Sequence, residues 1–167
     1  MAPVYLGHMD KLPVDSATSQ RLTLGTEELT VLASSDDNGG DLCAVEIRMP
    51  PGGGPPVMHR HAPSEVYYVL EGEFTFYIGD PNARVDRVTA ATGQVVPLAG
   101  GTPHTIRNES SADAVAFVVH APGTQMEQFT LAAAAMAAGG GPPDMPAVLA
   151  LAAEHGIELL GPVPTPE

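Results

Sequence analysis

Three histidines and one glutamate are spaced along the chain in a way that could bind a metal ion. His59 and His61 stand two residues apart, Glu65 follows four residues later, and His104 comes 39 residues after Glu65. Successive side chains of a β-strand point to opposite faces, so histidines two apart project together and can hold one ion. Imidazole nitrogen and carboxylate oxygen suit divalent transition metals such as Fe, Ni, Mn, Co or Zn. The pattern predicts about one such ion per chain, with coordination positions left open for water or substrate.

The residues around the first three side chains resemble the first sequence motif of the cupin superfamily. That motif runs from Gly53 through His59, His61 and Glu65 to Gly72, and every spacing in this chain agrees with it. The resemblance implies that these three side chains are metal ligands.

The second cupin motif is also present, with one departure. Ala99 occupies the position of the motif's proline, and the chain has Pro97 two residues earlier. The departure affects the turn before the histidine rather than the histidine itself, whose spacing within the motif is retained. The positions that stand in register are Gly93, Gly101, His104 and Asn108.

The resemblance implies an all-β protein, a cupin jelly-roll β-barrel (double-stranded β-helix), and the local patterns agree with it. The chain has 18 Gly and 17 Pro, which separate short segments rich in β-branched and aromatic residues, as is typical of antiparallel barrels. The predicted strands are Arg21 to Leu24, Leu29 to Ser34, Cys43 to Met49, Val57 to His61, Glu65 to Glu71, Glu73 to Ile78, Val85 to Thr89, Gln94 to Pro97, His104 to Asn108 and Ala114 to His120.

A short two-helix extension is predicted after the barrel. Thr124 and Glu127 have the spacing of a capping box that opens a helix through Ala138, and a second helix is predicted from about Met145 to His155. The extension could form a lid over the barrel mouth or pack outside it. The predicted organisation is an N-terminal segment (1–20), the barrel (21–121), the helical extension (122–160) and a disordered tail (161–167).

Composition narrows the class of partner. Lys and Arg total 7 against 20 Asp and Glu, which gives a formal net charge of −13. Such a charge repels phosphate backbones and anionic lipids, so we expect neither a nucleic-acid nor a membrane partner.

Cys43 is the only cysteine, so no intrachain disulfide can form. We expect a cytoplasmic protein, and a homodimer, because the open edges of a jelly roll invite pairing.

The remaining three histidines lack the support of a motif. His8 lies in the N-terminal segment, His120 ends an apolar strand, and His155 stands at a predicted helix end. Solvation or structural hydrogen bonding is the favoured interpretation for each.

Strand alternation predicts which residues share a substrate cavity with the metal. Residues two apart from an inward-facing ligand should also face inward, and Tyr67 is of special interest because a phenol can hydrogen-bond a bound ligand. The aromatic side chains among them could equally be plain barrel core. The candidate cavity residues are Val57, Tyr67, Val69, Phe74, Phe76 and Ile106.

The small single-domain form with a helical extension resembles the quercetinase-like cupins. That resemblance implies a dioxygenase that opens an enolisable or phenolic small molecule with O2, with Glu65 as candidate catalytic base as well as ligand. Two alternatives stay open. One is a non-redox cyclase or isomerase of polyketide-like or sugar-like carbonyl compounds, and the other is a ligand-binding cupin without catalysis.

Overall fold

The computed structural model describes residues 12–82, 84–141 and 144–163, so His8 lies outside the described residues. Within these ranges the chain forms two antiparallel sheets, a 3-10 helix at Ser35–Asn38 and two α-helices. The elements are β1 (Arg21–Leu24), β2 (Glu27–Ala33), β3 (Cys43–Met49), β4 (Val57–Arg60), β5 (Ser64–Glu71), β6 (Glu73–Gly79), β7 (Val85–Ala91), β8 (Val95–Leu98), β9 (His104–Arg107), β10 (Ala114–Ala121), α1 (Thr124–Ala137), α2 (Met145–Glu154) and β11 (Glu158–Pro162).

The two sheets enclose one main core. The six-stranded sheet has the order β1-β2-β3-β10-β5-β8, and the five-stranded sheet has the order β11-β4-β9-β6-β7. Side chains from both sheets meet between them, with Phe74 and Phe76 of β6 packed among Val69, Ile106 and Val118. The prediction of an all-β jelly roll with two C-terminal helices is confirmed, and all ten predicted strands are present with ends within two residues of those expected.

The start of α1 differs from the sequence prediction. Thr124 lies inside the helix, and the N-cap is Gly123, which makes no side-chain cap. Glu127 does not reach back to the helix start but accepts hydrogen bonds from the backbone N–H of Ser35, at 2.6 Å, and from its hydroxyl. The capping-box prediction is therefore wrong. Glu127 instead joins α1 to the 3-10 helix.

The C-terminal segment also differs from the prediction, which placed a disordered tail from residue 161. Gly161 and Pro162 end β11, which pairs antiparallel with β4, and the N–H of Val163 donates to the carbonyl of Pro56 at 3.2 Å. The physical reason is that β4 would otherwise leave a row of backbone groups unpaired at the sheet edge. Residues 164–167 lie outside the described residues.

Neither helix of the described residues has the length and hydropathy needed to cross a membrane. Helix α1 packs against β1 and α2, so the extension lies against the barrel. Met126, Ala152 and Ile157 form a second, small apolar cluster there.

Candidate metal centre

The strand pairing brings the predicted ligands together. His59 of β4 and His104 of β9 are direct partners across two neighbouring strands, and their rings lie 4.5 Å apart between centroids. The His61 ring lies 5.2 Å from that of His104. One ligand nitrogen from each of the three histidines lies within 4.8 Å of the other two. The structure thus forms the histidine cluster that the spacing predicted.

Each of these histidines has its Nδ1 atom beside a backbone carbonyl two residues away. A carbonyl can only accept a hydrogen bond, so Nδ1 carries the proton and Nε2 of the neutral ring keeps a free lone pair. This arrangement is the usual support of a metal-binding imidazole. The Nδ1-to-oxygen distances are 3.0 Å for His61 to Pro63, 2.8 Å for His104 to Thr102 and 3.5 Å for His59 to Val57.

Three buried polar atoms in the cluster have no hydrogen-bond partner: Nε2 of His61, Nε2 of His104 and Oε1 of Glu65. His104 Nε2 and Glu65 Oε1 lie 2.5 Å apart, yet not in the orientation of a hydrogen bond. Two atoms that carry lone pairs can lie this close in a buried site only if positive charge accompanies them, either as a proton or as a metal ion. The residues present therefore fit a divalent cation.

Burial and charge set the protonation of the cluster. Burial, followed by the nearby His104 and His61, lowers the pKa of His59 to about 4, and burial also lowers the pKa of His61. Burial alone would lower the pKa of His104, but the Glu65 carboxylate raises it. Burial opposes ionisation of Glu65, yet the imidazoles of His104 and His120 hold its pKa well below the usual range. His59 and His61 are thus neutral at pH 7 and Glu65 is ionised.

His120, which sequence reasoning assigned to solvation or structural hydrogen bonding, lies in the same cluster. Its Nε2 is 2.8 Å from Oε2 of Glu65, and its ring centroid is 6.0 Å from that of His61. His120 is the cross-strand partner of Glu65 on the neighbouring strand β10. The signal for this contact is the strand register, which no local sequence pattern reveals.

The candidate cavity residues divide into two groups. Five of them are buried in the barrel core, whereas Val57 is partly exposed on β4. Tyr67 donates from its hydroxyl to Oε2 of Glu65 at 3.2 Å, and its ring packs edge-on against Phe76 at 5.1 Å. Burial, and then the neighbouring Glu65, raises the pKa of Tyr67 well above its usual value, so the phenol stays protonated. The buried group is Tyr67, Val69, Phe74, Phe76 and Ile106.

Comparison with known proteins finds one family model that matches the central part of this chain. Residues 45–120 match the family model described as a cupin domain. A search of the curated proteins finds no match. These matched residues include all four predicted ligands.

Among solved structures, the chain is similar to a tryptophan-to-tyrosine variant of oxalate decarboxylase from Bacillus subtilis. The TM-score is 0.59 at 20% identity, over 69% of this chain and 30% of that chain. A second similar structure is the Bacillus subtilis oxalate decarboxylase in which Mn(II) centres were assigned, with a TM-score of 0.56 at 19% identity over 65% of this chain and 29% of that one. The chain therefore spans less than a third of the length of these structures, and the likeness is one of fold.

Proposed function

From the match of residues 45–120 to the cupin-domain model and from the geometry of the cluster, we propose that this chain is a metal-dependent oxygenase of an enolisable or phenolic small molecule, similar to the quercetinase-like dioxygenases. One observation carries the proposal. Buried nitrogen and oxygen atoms of His61, His104 and Glu65 converge without hydrogen-bond partners, and His59 lies beside them.

His59, His61, His104 and Glu65 would hold the ion. A bound divalent metal would lower the pKa of a substrate hydroxyl, and a redox-active one would also supply electron transfer between the substrate oxyanion and O2. An imidazole that binds a metal is neutral, so the three histidines would add no charge; Glu65 adds one negative charge, so the loaded site would keep a single positive charge. That balance favours a singly charged enolate or phenolate.

The surrounding charges also favour a monoanion over a dicarboxylate. A second carboxylate would need its own cationic partner close to the metal. Arg48, Arg60 and Arg87 are each paired with a carboxylate other than Glu65. A substrate with one ionisable hydroxyl and an otherwise apolar body therefore suits this site better than oxalate, the substrate named for the similar structures.

Apolar core side chains lie beside the cluster, and in this proposal they form the apolar wall of the substrate site. Val69, Phe76 and Ile106 are buried in the same core as Tyr67, and these side chains exclude water from the interior of the barrel. The pKa of Glu65, held low by its imidazole neighbours, makes this carboxylate a ready ligand and a weak base. We therefore assign ligation to Glu65 first and proton transfer second.

The experiment is oxygen uptake by the protein loaded with one metal at a time. We expect Fe- or Ni-loaded protein to consume O2 with a flavonol or a β-diketone as substrate. Zn-loaded protein should consume none, because Zn²⁺ cannot change its oxidation state. When the reaction is run under isotope-labelled O2, both labelled oxygen atoms should be found in the product.

Two results would contradict the proposal in different ways. Absence of O2 uptake in every metal form, with every enolisable substrate tested, would remove the oxygenase assignment. If Zn-loaded protein converts the substrate without O2, the protein would instead be a cyclase or isomerase that uses the metal as a Lewis acid.

A further inference from the structure

His120 differs from the three candidate histidine ligands in the partner of its Nδ1 atom. The Nδ1 atoms of His59, His61 and His104 face backbone carbonyls, which can only accept a hydrogen bond. Nδ1 of His120 faces the Sγ atom of Cys43 at 3.8 Å. A thiol can donate as well as accept, so His120 can take the opposite tautomer, with the proton on Nε2.

Strand register places these side chains in one row. Cys43 of β3 is the cross-strand partner of His120 of β10, and His120 is in turn the partner of Glu65 of β5. Side chains of directly paired residues project from the same face of a sheet. Cys43 and Glu65 are each 2% exposed, so the row lies inside the barrel.

The position of the proton follows from the contacts at both ends of His120. Burial, and then the charge of Glu127, raises the pKa of the Cys43 thiol to about 11, so the S–H proton is present at pH 7. At the other end, His120 Nε2 lies 2.8 Å from Oε2 of Glu65. A bare nitrogen lone pair at this distance would repel the carboxylate, whereas an N–H is attracted to it.

We propose that Cys43 and His120, together with Tyr67, are positioning residues that hold Oε2 of Glu65 and so present Oε1 alone to the metal. Tyr67 contributes a second donor to the same oxygen at 3.2 Å. Oε1 is the oxygen without a hydrogen-bond partner, and it faces His104. The inference rests on the proposed metal site and predicts that Glu65 binds the ion through one oxygen.

The test is titration of the metal-free protein with Co²⁺, read by the affinity and by the visible absorption of the bound ion, which reports its coordination. His120→Leu should weaken Co²⁺ binding roughly 10- to 100-fold, the usual cost of losing a hydrogen-bond partner of a ligand. The absorption should also change, because a released Glu65 can turn and bind through both oxygens. His120→Gln keeps a side-chain N–H and should restore most of the affinity and the original spectrum.

The matched control is His155→Leu, which removes a histidine whose ring meets Phe129 edge-on in the C-terminal extension. It should leave both the affinity and the spectrum unchanged. Cys43→Ala should cause a smaller loss than His120→Leu, and Cys43→Ser, which keeps a donor, a smaller loss still.

The outcomes separate this inference from the metal site itself. If wild-type protein binds no Co²⁺, the proposed site and the inference both fail. If wild type binds Co²⁺ and His120→Leu binds it equally with the same spectrum, only the inference fails. Should His120→Leu not fold by circular dichroism, His120→Gln decides: wild-type behaviour supports the inference, and a weakened site with an altered spectrum overturns it.

Discussion

The two faces of strand β5 reverse the usual distribution of polarity in a barrel. Its inward face includes an ionised glutamate, and its outward face is apolar. The inward residues are at most 7% exposed and the outward ones are 39–41% exposed. The inward residues are Glu65, Tyr67 and Val69, and the outward residues are Val66, Tyr68 and Leu70.

A buried charge and an exposed apolar stripe are both uncommon, and each indicates function. Glu65 is tolerated inside because the imidazoles of His104 and His120 and the phenol of Tyr67 surround it. Outside, the stripe continues onto neighbouring strands, where Phe117 of β10 and Val95 of β8 flank Tyr68. We therefore expect the inward face to take part in metal binding and the outward face to contact a second copy of the chain.

The largest effect should come from removing an inward ligand. We expect wild-type protein to carry about one transition metal per chain, and His104→Ala or His59→Ala to lose it. The reason is that the three histidines and Glu65 would share one ion, so the loss of one histidine should weaken metal binding enough for the ion to dissociate during purification. Elemental analysis of purified protein measures the metal content.

His155→Ala is the control for that change, because it removes an imidazole outside the cluster. It should keep its metal. Retention of metal by both ligand variants would mean that the inward face is only a structural cluster of polar side chains.

The second effect compares the same side chain on the two faces. Val69→Ala should lower the free energy of unfolding by about 2 kcal/mol, because the residue is fully buried and leaves a cavity. Val66→Ala should change the free energy of unfolding by less than about 0.5 kcal/mol, because Val66 is exposed. Urea denaturation of both variants gives the comparison, and equal losses would show that the outward face is as tightly packed as the inward one.

The inward face could be predicted from the sequence to the extent that its signals are local. The spacing of His59 and His61, and the alternation that places Tyr67 with Glu65, follow from the geometry of one strand. The strands themselves were found because Gly and Pro separate runs of β-branched and aromatic residues.

What could not be predicted depends on which strands become neighbours. His120 meets Glu65 only because β10 lies beside β5 in a particular register, and that register is fixed by the whole barrel. Likewise, Gly161 and Pro162 favour a disordered tail locally, but the edge of β4 provides backbone partners that order them. Glu127 shows the same near a helix start, because it accepts a hydrogen bond from the distant backbone N–H of Ser35 instead of forming a local capping box.

The smallest expected effect concerns the outward face. We expect a homodimer in which the apolar stripe of one copy covers that of the other about a two-fold axis. Tyr68→Asp would then bring two carboxylates together in an apolar contact of a chain whose net charge is already −13, and it should weaken the dimer at least tenfold, about 1.4 kcal/mol. Sedimentation velocity at several protein concentrations measures the dissociation constant of the dimer.

Val88→Asp is the matched control. Val88 is equally exposed but lies on β7 of the other sheet, so this change should leave the association unchanged. If Tyr68→Asp associates like wild type, or if wild type is a monomer throughout, the stripe is not a dimer contact, and the two faces of β5 differ in burial without a division of function.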